Sequence, residues 1–242
     1  MLKNKNLAII LVNPQLPENI GMSARAMMNC GFYDLRIVNP RDGWPNKLAI
    51  KSSVHAKKII SKTKIFDSFE NSVSDLNFLV ATTARRRYAR KDHFFSFLEI
   101  KKIISDTHKV GIVFGPENSG LSNEVISKCD CIFSLPLKSK QTSLNLSHSV
   151  LIICYELSKF YHNIQRSSNI FIDIATKAEF NGLMNHLHQD LISSGFLNPP
   201  EKRKIMFENI QNMFLRANFT SQEIRTFRGI LKKLKNPIFR QK

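Results

Sequence analysis

Five short, largely apolar runs recur in the first 162 residues: Leu7–Val12, Leu35–Val38, Phe78–Ala81, Gly111–Phe114 and Cys131–Leu135. They lack the strict polar–apolar alternation of a sheet with one wet face, so each strand must be covered on both sides. Between them lie amphipathic stretches with helical spacing, Ile20–Cys30, Phe97–Ser105 and Ser122–Lys128, and a longer apolar-periodic segment, Leu144–Phe160, closes the series. Strand and helix in alternation predict an α/β fold, a mostly parallel sheet with helices on both faces.

The longest unbroken apolar runs, Leu7–Val12 and Val150–Tyr155, are six residues each. A membrane span needs about 20 apolar residues and a signal peptide about 7–15, so neither is expected. Four cysteines in 242 residues make no disulfide framework. The expectation is a soluble protein of a reducing, cytoplasmic compartment.

Near residue 163 the pattern lapses into a polar stretch and then turns helical. The predicted organisation is an α/β domain over 1–162, a linker over 163–173 and a helical extension over 174–242. Thr176 with Glu179 and Thr220 with Glu223 have capping-box spacing. Phe180, Leu183, Met184, Leu187 and Leu191 fall on one helical face. Gly195 and Pro199-Pro200 end that helix and start the next, giving three helices.

Charge supplies the first functional clue. There are 36 Lys and Arg against 19 Asp and Glu, a formal net charge of +17. A field of that sign favours polyanions, nucleic acid first among them. The basic character extends into residues 163–242, with 13 cations against 6 anions.

Several familiar sites are excluded. Gly115–Gly120 has phosphate-loop spacing, but Leu121-Ser122 replaces the required Lys-Ser/Thr. No Gly-x-Gly-x-x-Gly follows a strand, so an ordinary dinucleotide site is not supported. Cys129 and Cys131 lack a second ligand pair at metal spacing, and no metal is expected. His186 and His188, two apart on a helix, point to different faces.

Four segments remain, each at a predicted strand end, where α/β sheets place ligands. In the first, Asn19 occupies a helix N-cap position, Gly21 admits close backbone approach, and Arg25 follows among small and apolar residues. In the second, Val110–Phe114 runs into Gly115-Pro116-Glu117-Asn118-Ser119-Gly120-Leu121, with Glu117 as one fixed carboxylate. The third is Leu135-Pro136, a polar loop, then Thr142-Ser143-Leu144-Asn145-Leu146-Ser147 opening the long apolar helix. The fourth, Arg85, Arg86, Arg87, Arg90 and Lys91 around Tyr88, places five cations in seven residues beside an aromatic, a composition suited to RNA backbone and a stacked base.

Taken in order, Asn19-x-Gly21-x-x-x-Arg25 with Gly31, Phe114-Gly115-Pro116-Glu117 with Gly120-Leu121, and Leu135-Pro136 with Ser143-Leu144-Asn145-Leu146-Ser147 and Tyr155-Glu156 resemble the three signature motifs of the SPOUT-class RNA 2′-O-methyltransferases of the TrmH/TrmJ group. Pro200-Glu201-Lys202-Arg203 and Thr220–Gly229 resemble the helical extension of the TrmJ-type enzymes, which methylate a cytidine or uridine ribose of tRNA at position 32, on the 5′ side of the anticodon loop. One departure is Pro116, where other enzymes of that type can carry Arg.

The resemblance implies a C-terminal trefoil knot in the α/β part, a homodimer, and S-adenosyl-L-methionine as cofactor. Carried over, the cofactor contacts are Thr82, Thr83, Ala84, Gly115, Leu135, Thr142, Ser143 and Leu144. Arg25 is the residue associated with the reacting 2′-hydroxyl. Arginine stays protonated in proteins, so orienting the hydroxyl and a neighbouring phosphate suits it better than acting as a literal base. Asn19 completes the first motif. Ser143 and Asn145 would hold nucleotide or cofactor carboxylate, and Glu117 would fix the motif-two loop or pair with Arg25. Arg85, Arg86, Arg87 and Arg90 would grip RNA phosphates. The alternatives are the same chemistry on another tRNA position or on ribosomal RNA, or a non-catalytic RNA-binding protein.

Overall fold

The computed structural model describes residues 6–84, 91–103, 108–137, 144–162 and 174–235. The chain divides into two compact units, Met1–Phe171 and Ile172–Lys242. The expected linker, 163–173, lies outside the described residues.

The first unit is built on a seven-stranded sheet. Its strands are β1 (Leu7–Val12), β2 (Asp34–Val38), β3 (Lys64–Phe66), β4 (Phe78–Thr82), β5 (His93–Phe94), β6 (Val110–Phe114) and β7 (Cys131–Phe133). They lie in the order β3-β2-β1-β6-β4-β7-β5, and every pairing is parallel. All six residues of β1 are buried, as expected of a strand flanked by β2 and β6 and covered on both faces. Ala8, Ile10 and Val12 join Phe69, Val73, Leu79, Val113 and Ile126 in one core layer. Ile9, Leu11, Leu35 and Ile37, of the opposite register, are equally inaccessible. The expected both-faces-covered parallel sheet is what forms.

The helices of this unit are α1 (Pro17–Asn29), α2 (Lys47–Ser53), α3 (Lys57–Ile60), α4 (Phe69–Val73), α5 (Phe97–Ile103), α6 (Asn123–Lys128) and α7 (Leu146–His162). The predicted strands and long helices recur with ends shifted by up to three residues. Two strands and three helices were not anticipated: β3, β5 and α2–α4 are two to seven residues long. Elements that short hold at most about two periods of a pattern, too few repeats to stand out from the neighbouring residues. Their starts are set by single side chains instead, Asn46 capping α2 and Ser68 capping α4.

A charged side chain sits in the core of this unit. Arg36, in β2, is 3% exposed and fully engaged, with Asp34 at 2.8 Å, Asp75 at 2.5 Å and the Ser72 carbonyl at 2.7 Å. The hydrogen bonds from Arg36 hold the Asp75 carboxyl below the usual carboxylate range.

The second unit holds α8 (Lys177–Ser193), α9 (Arg203–Arg216) and α10 (Ser221–Lys235), with a single 3-10 turn at Pro200–Lys202. Both expected capping boxes form: Thr176 exchanges bonds with Glu179, and Thr220 with Glu223. Phe180, Leu183, Met184 and Leu187 pack with Phe214, Leu215 and Ile224 in a core of their own. Among the described residues of the chain, no helix is long and apolar enough to cross a membrane.

Candidate active site

Three neighbouring strands, β6, β4 and β7, end at Phe114, Thr82 and Phe133, and their loops enclose a cleft of about 260 Å³. It lies at the carboxyl edge of the sheet, where parallel α/β folds bind ligands. Thr82, Thr83, Ala84, Gly115, Leu135 and Leu144, six of the eight expected cofactor contacts, line it. Thr142 and Ser143 lie outside the described residues.

Local chemistry explains the wall formed by residues 115–121. The Gly120 amide bonds to the Pro116 carbonyl at 2.8 Å, and Gly120 adopts φ +67°, a left-handed conformation that favours glycine. This folds the loop back over Gly115, where an added Cβ would lie 2.2 Å from the Leu121 amide nitrogen. No side chain fits there. On the facing wall, Thr82 donates its hydroxyl to the Val113 carbonyl at 2.8 Å, tying β4 to β6 where their ladder ends.

Beside the cleft, Glu117, Asn19 and Asn145 form a continuous clasp. Asn19 Nδ2 donates to Glu117 Oε1 at 2.7 Å, and Asn145 Nδ2 donates to Asn19 Oδ1 at 2.9 Å. Glu117 also accepts from the amides of Gln15 at 2.8 Å and Leu16 at 3.3 Å. A carboxylate at the start of α1 is favoured by that helix's dipole. Asn145 Oδ1 in turn accepts from the Ser147 amide at 2.9 Å and its hydroxyl at 2.7 Å, capping α7. One residue from each of the three sequence motifs is thus held in one network.

These contacts correct two expectations. Asn19 is not the N-cap of α1: the helix begins at Pro17, Leu16 occupies the cap without a side-chain bond, and Asn19 lies two residues inside. Pro17 presets a helical φ at the first position, and the Asn19 backbone N–H is already bonded to the Leu16 carbonyl at 3.0 Å. The Asn19 side-chain amide is used instead between motifs. Glu117 likewise takes the first of its two expected roles, fixing the motif-two loop, and does not pair with Arg25.

Comparison with known proteins agrees with this geometry. Residues 6–155 match the SpoU rRNA methylase family model, and residues 178–242 match that of the tRNA methyltransferase TrmJ C-terminal domain. The chain belongs to the SpoU methylase family. It is 33% identical over 235 residues to the tRNA (cytidine-2′-O-)-methyltransferase TrmJ of Methanocaldococcus jannaschii, covering 93% of this chain and 98% of that one. It is 30% identical to the tRNA (cytidine/uridine-2′-O-)-methyltransferase TrmJ of Yersinia pestis, covering 93% and 90%. The crystal structure of TrmJ from Z. mobilis ZM4 superposes with a TM-score of 0.84 at 33% identity, covering 95% of this chain and 99% of that chain.

Within this SpoU methylase, Arg25 stands apart from the cleft. It is exposed on α1, in a stripe with Glu18, Met22 and Asn29, and among the described residues it has no hydrogen-bond or ion-pair partner. Gly21 serves packing: a Cβ there would lie 2.2 Å from the Ala49 carbonyl of α2. Arg85, Arg86, Arg87 and Arg90 lie outside the described residues. Lining residues to which the sequence reading gave no cofactor or catalytic role include Phe114, Pro116, Asn118, Ser119, Phe133, Leu137, Leu146, Ser149 and Ile153. Most of these are neighbours of the motif residues. Ser149 and Ile153 follow Leu146 along α7 at spacings of three and four, a helical stripe that could have signalled them.

Proposed function

We propose that this SpoU methylase is a tRNA 2′-O-methyltransferase that uses S-adenosyl-L-methionine and acts on the ribose of cytidine or uridine at position 32. The observation that carries this reading is the convergence of the three motif segments around one cleft, in a chain whose second unit matches the TrmJ C-terminal domain. The net charge of +17 supports a polyanionic substrate.

The cleft suits a cofactor of mixed character. Its lining joins apolar Phe114, Leu135 and Leu144 to the hydroxyls of Thr83 and Ser149 and to main chain at Gly115, where no Cβ intrudes. Thr82, Thr83, Ala84, Gly115, Leu135 and Leu144 would hold it, with Thr142 and Ser143 completing the set. When bound, S-adenosyl-L-methionine supplies an electrophilic sulfonium methyl group. Positioning is then the chief task left to the protein. Arg25 orients the ribose 2′-hydroxyl and the adjacent phosphate through its planar fork. Glu117, Asn19 and Asn145 keep the motif loops in register, and Arg85, Arg86, Arg87 and Arg90 grip the tRNA backbone.

A homodimer belongs to the same reading. Met22 on α1 and Leu151 and Tyr155 on α7 are 40–55% exposed, and α1 packs on α7. Arg25 lies one turn from Met22 on the exposed face of α1, so a second copy docked there would bring Arg25 into the interface. The knotted threading and a cytoplasmic location complete the proposal.

The test is methylation of transcribed tRNA by the purified protein, with ribose methylation mapped by position. The expected product carries a single 2′-O-methyl group at position 32. Modification elsewhere in the anticodon loop, or only of ribosomal RNA, would overturn the assigned position. Absence of transfer by folded protein would overturn the activity.

A further inference from the structure

Where the sheet ends, the residues just past β4 and β7 are joined to His93 of β5 by a side-chain relay. Ser134, 8% exposed, donates its hydroxyl to the Thr83 carbonyl at 2.6 Å, and its Oγ lies 2.8 Å from His93 Nε2. A serine hydroxyl has one proton. That proton goes to Thr83, so the bond with His93 must be donated by the imidazole Nε2–H. Main-chain bonds frame the same corner, Ser134 N to the Phe94 carbonyl at 3.0 Å and Thr83 N to the Phe133 carbonyl at 3.1 Å.

The regular pairing stops one residue short of this relay. β4 and β7 end at Thr82 opposite Phe133, and β7 and β5 at Phe133 opposite Phe94. Thr83 and Ser134 are the first residues beyond it, and Thr83, Ala84 and Leu135 line the cleft. His93 does not line it. Its ring stacks on Phe95 with centroids 4.7 Å apart and planes 25° from parallel.

We propose that His93 is a positioning residue for the cleft. Its Nε2–H fixes the Ser134 hydroxyl, which holds the Thr83 carbonyl and with it the Thr83–Ala84 wall. The inference rests on the assignment of this cleft to the cofactor.

Two variants of the full-length protein separate this role from packing. His93→Phe keeps a ring for Phe95 and removes the donor. His93→Gln removes the ring and keeps an N–H donor of similar reach. Calorimetry with S-adenosylhomocysteine should show affinity about three- to tenfold weaker for His93→Phe, the loss of one neutral hydrogen bond, and near wild type for His93→Gln. In turnover, KM for S-adenosyl-L-methionine should rise in His93→Phe while kcat at saturation is retained. Without ligand, amide hydrogen exchange in segments 80–84 and 133–137 should accelerate in His93→Phe only. Wild-type affinity and exchange in His93→Phe, or equal impairment of both variants, would overturn the proposal. Should the wild-type protein fail to bind S-adenosylhomocysteine, the cofactor assignment falls, and the exchange measurement still decides the relay.

Discussion

Asn19 is the centre of the clasp, so its removal should report how strongly the three motif segments are held together. The side chain is 1% exposed, donates to the Glu117 carboxylate at 2.7 Å and accepts from Asn145 at 2.9 Å. Asn19→Ala deletes both bonds and leaves the carboxylate short of a donor. A hydrogen bond to a charged group contributes about 1.5–3 kcal/mol and a neutral one about 0.5–1.5 kcal/mol, the second nearer its lower bound here because Asn145 is exposed. The expected loss is about 2–3 kcal/mol, or roughly 5–10 °C in Tm for a unit of this size.

Asn19→Asp sharpens the test. It keeps an acceptor for Asn145 but sets two carboxylates within hydrogen-bond distance, so the native state favours one shared proton. The folded pKa of that pair rises above its unfolded value, and the native state binds more protons than the unfolded chain. Stability then falls as pH rises from the unfolded carboxylate range through the raised folded pKa, opposite in sign to a paired carboxylate. Thermal unfolding should therefore show Asn19→Asp far below wild type at pH 7, with the gap narrowing toward pH 5. An unchanged melting temperature for Asn19→Ala, or a gap for Asn19→Asp that does not vary with pH, would refute the clasp as an energetic tie.

Arg25→Ala should lower the methylation rate by about 10²-fold while leaving S-adenosylhomocysteine affinity intact, since Arg25 does not line the cleft. Arg25→Lys should be almost as slow, because an ammonium lacks the planar fork; a fast lysine variant would remove that role. Gly115→Ala should abolish cofactor binding by calorimetry, the new Cβ meeting main chain at 2.2 Å rather than a side chain able to yield. Asp75, its carboxyl held low by Arg36, stabilises the fold above the unfolded carboxylate pKa and loses that contribution as pH falls through the folded value. Asp75→Asn should accordingly flatten the acid limb of stability in urea titrations. Residues 1–171, a compact unit with its own core, should fold and bind S-adenosylhomocysteine yet fail to methylate tRNA; efficient methylation by that fragment would exclude the helical unit from recognition.

How far the sequence could be read followed from how local each cause was. β1 was readable to the residue because burial on both faces demands six apolar side chains in a row. The capping boxes at Thr176 and Thr220 were readable because both partners lie within four residues. β5 was not, since its two residues owe their strand geometry to pairing with β7, 39 positions later. Arg36 interrupts an apolar run, and of its two ion partners only Asp34 is local, Asp75 arriving from the turn after α4. The types of the site residues were visible as motifs, but Asn19 was assigned a local cap because a cap is what an isolated asparagine before a helix most often forms.

The long-range contacts of Asn19 follow from sheet order. Parallel pairing of β1 with β6 sets Leu11 beside Phe114. The segments leaving those strands emerge side by side at the same edge, and Glu117 reaches Gln15 and Leu16 after a short turn. Nearly a hundred residues separate Glu117 from Asn19 in the chain, yet the register leaves only a few residues on each side to bridge the gap. A carboxylate at that point can only accept, and the free amide of Asn145 supplies a donor on the far side. A single side chain inserted between them must donate one way and accept the other. Asparagine does this within the space of one short side chain, whereas aspartate offers no donor when ionised, and glutamine would extend one methylene further into a buried gap. The residue type at position 19 is thus dictated by partners that its own neighbourhood in the sequence does not contain.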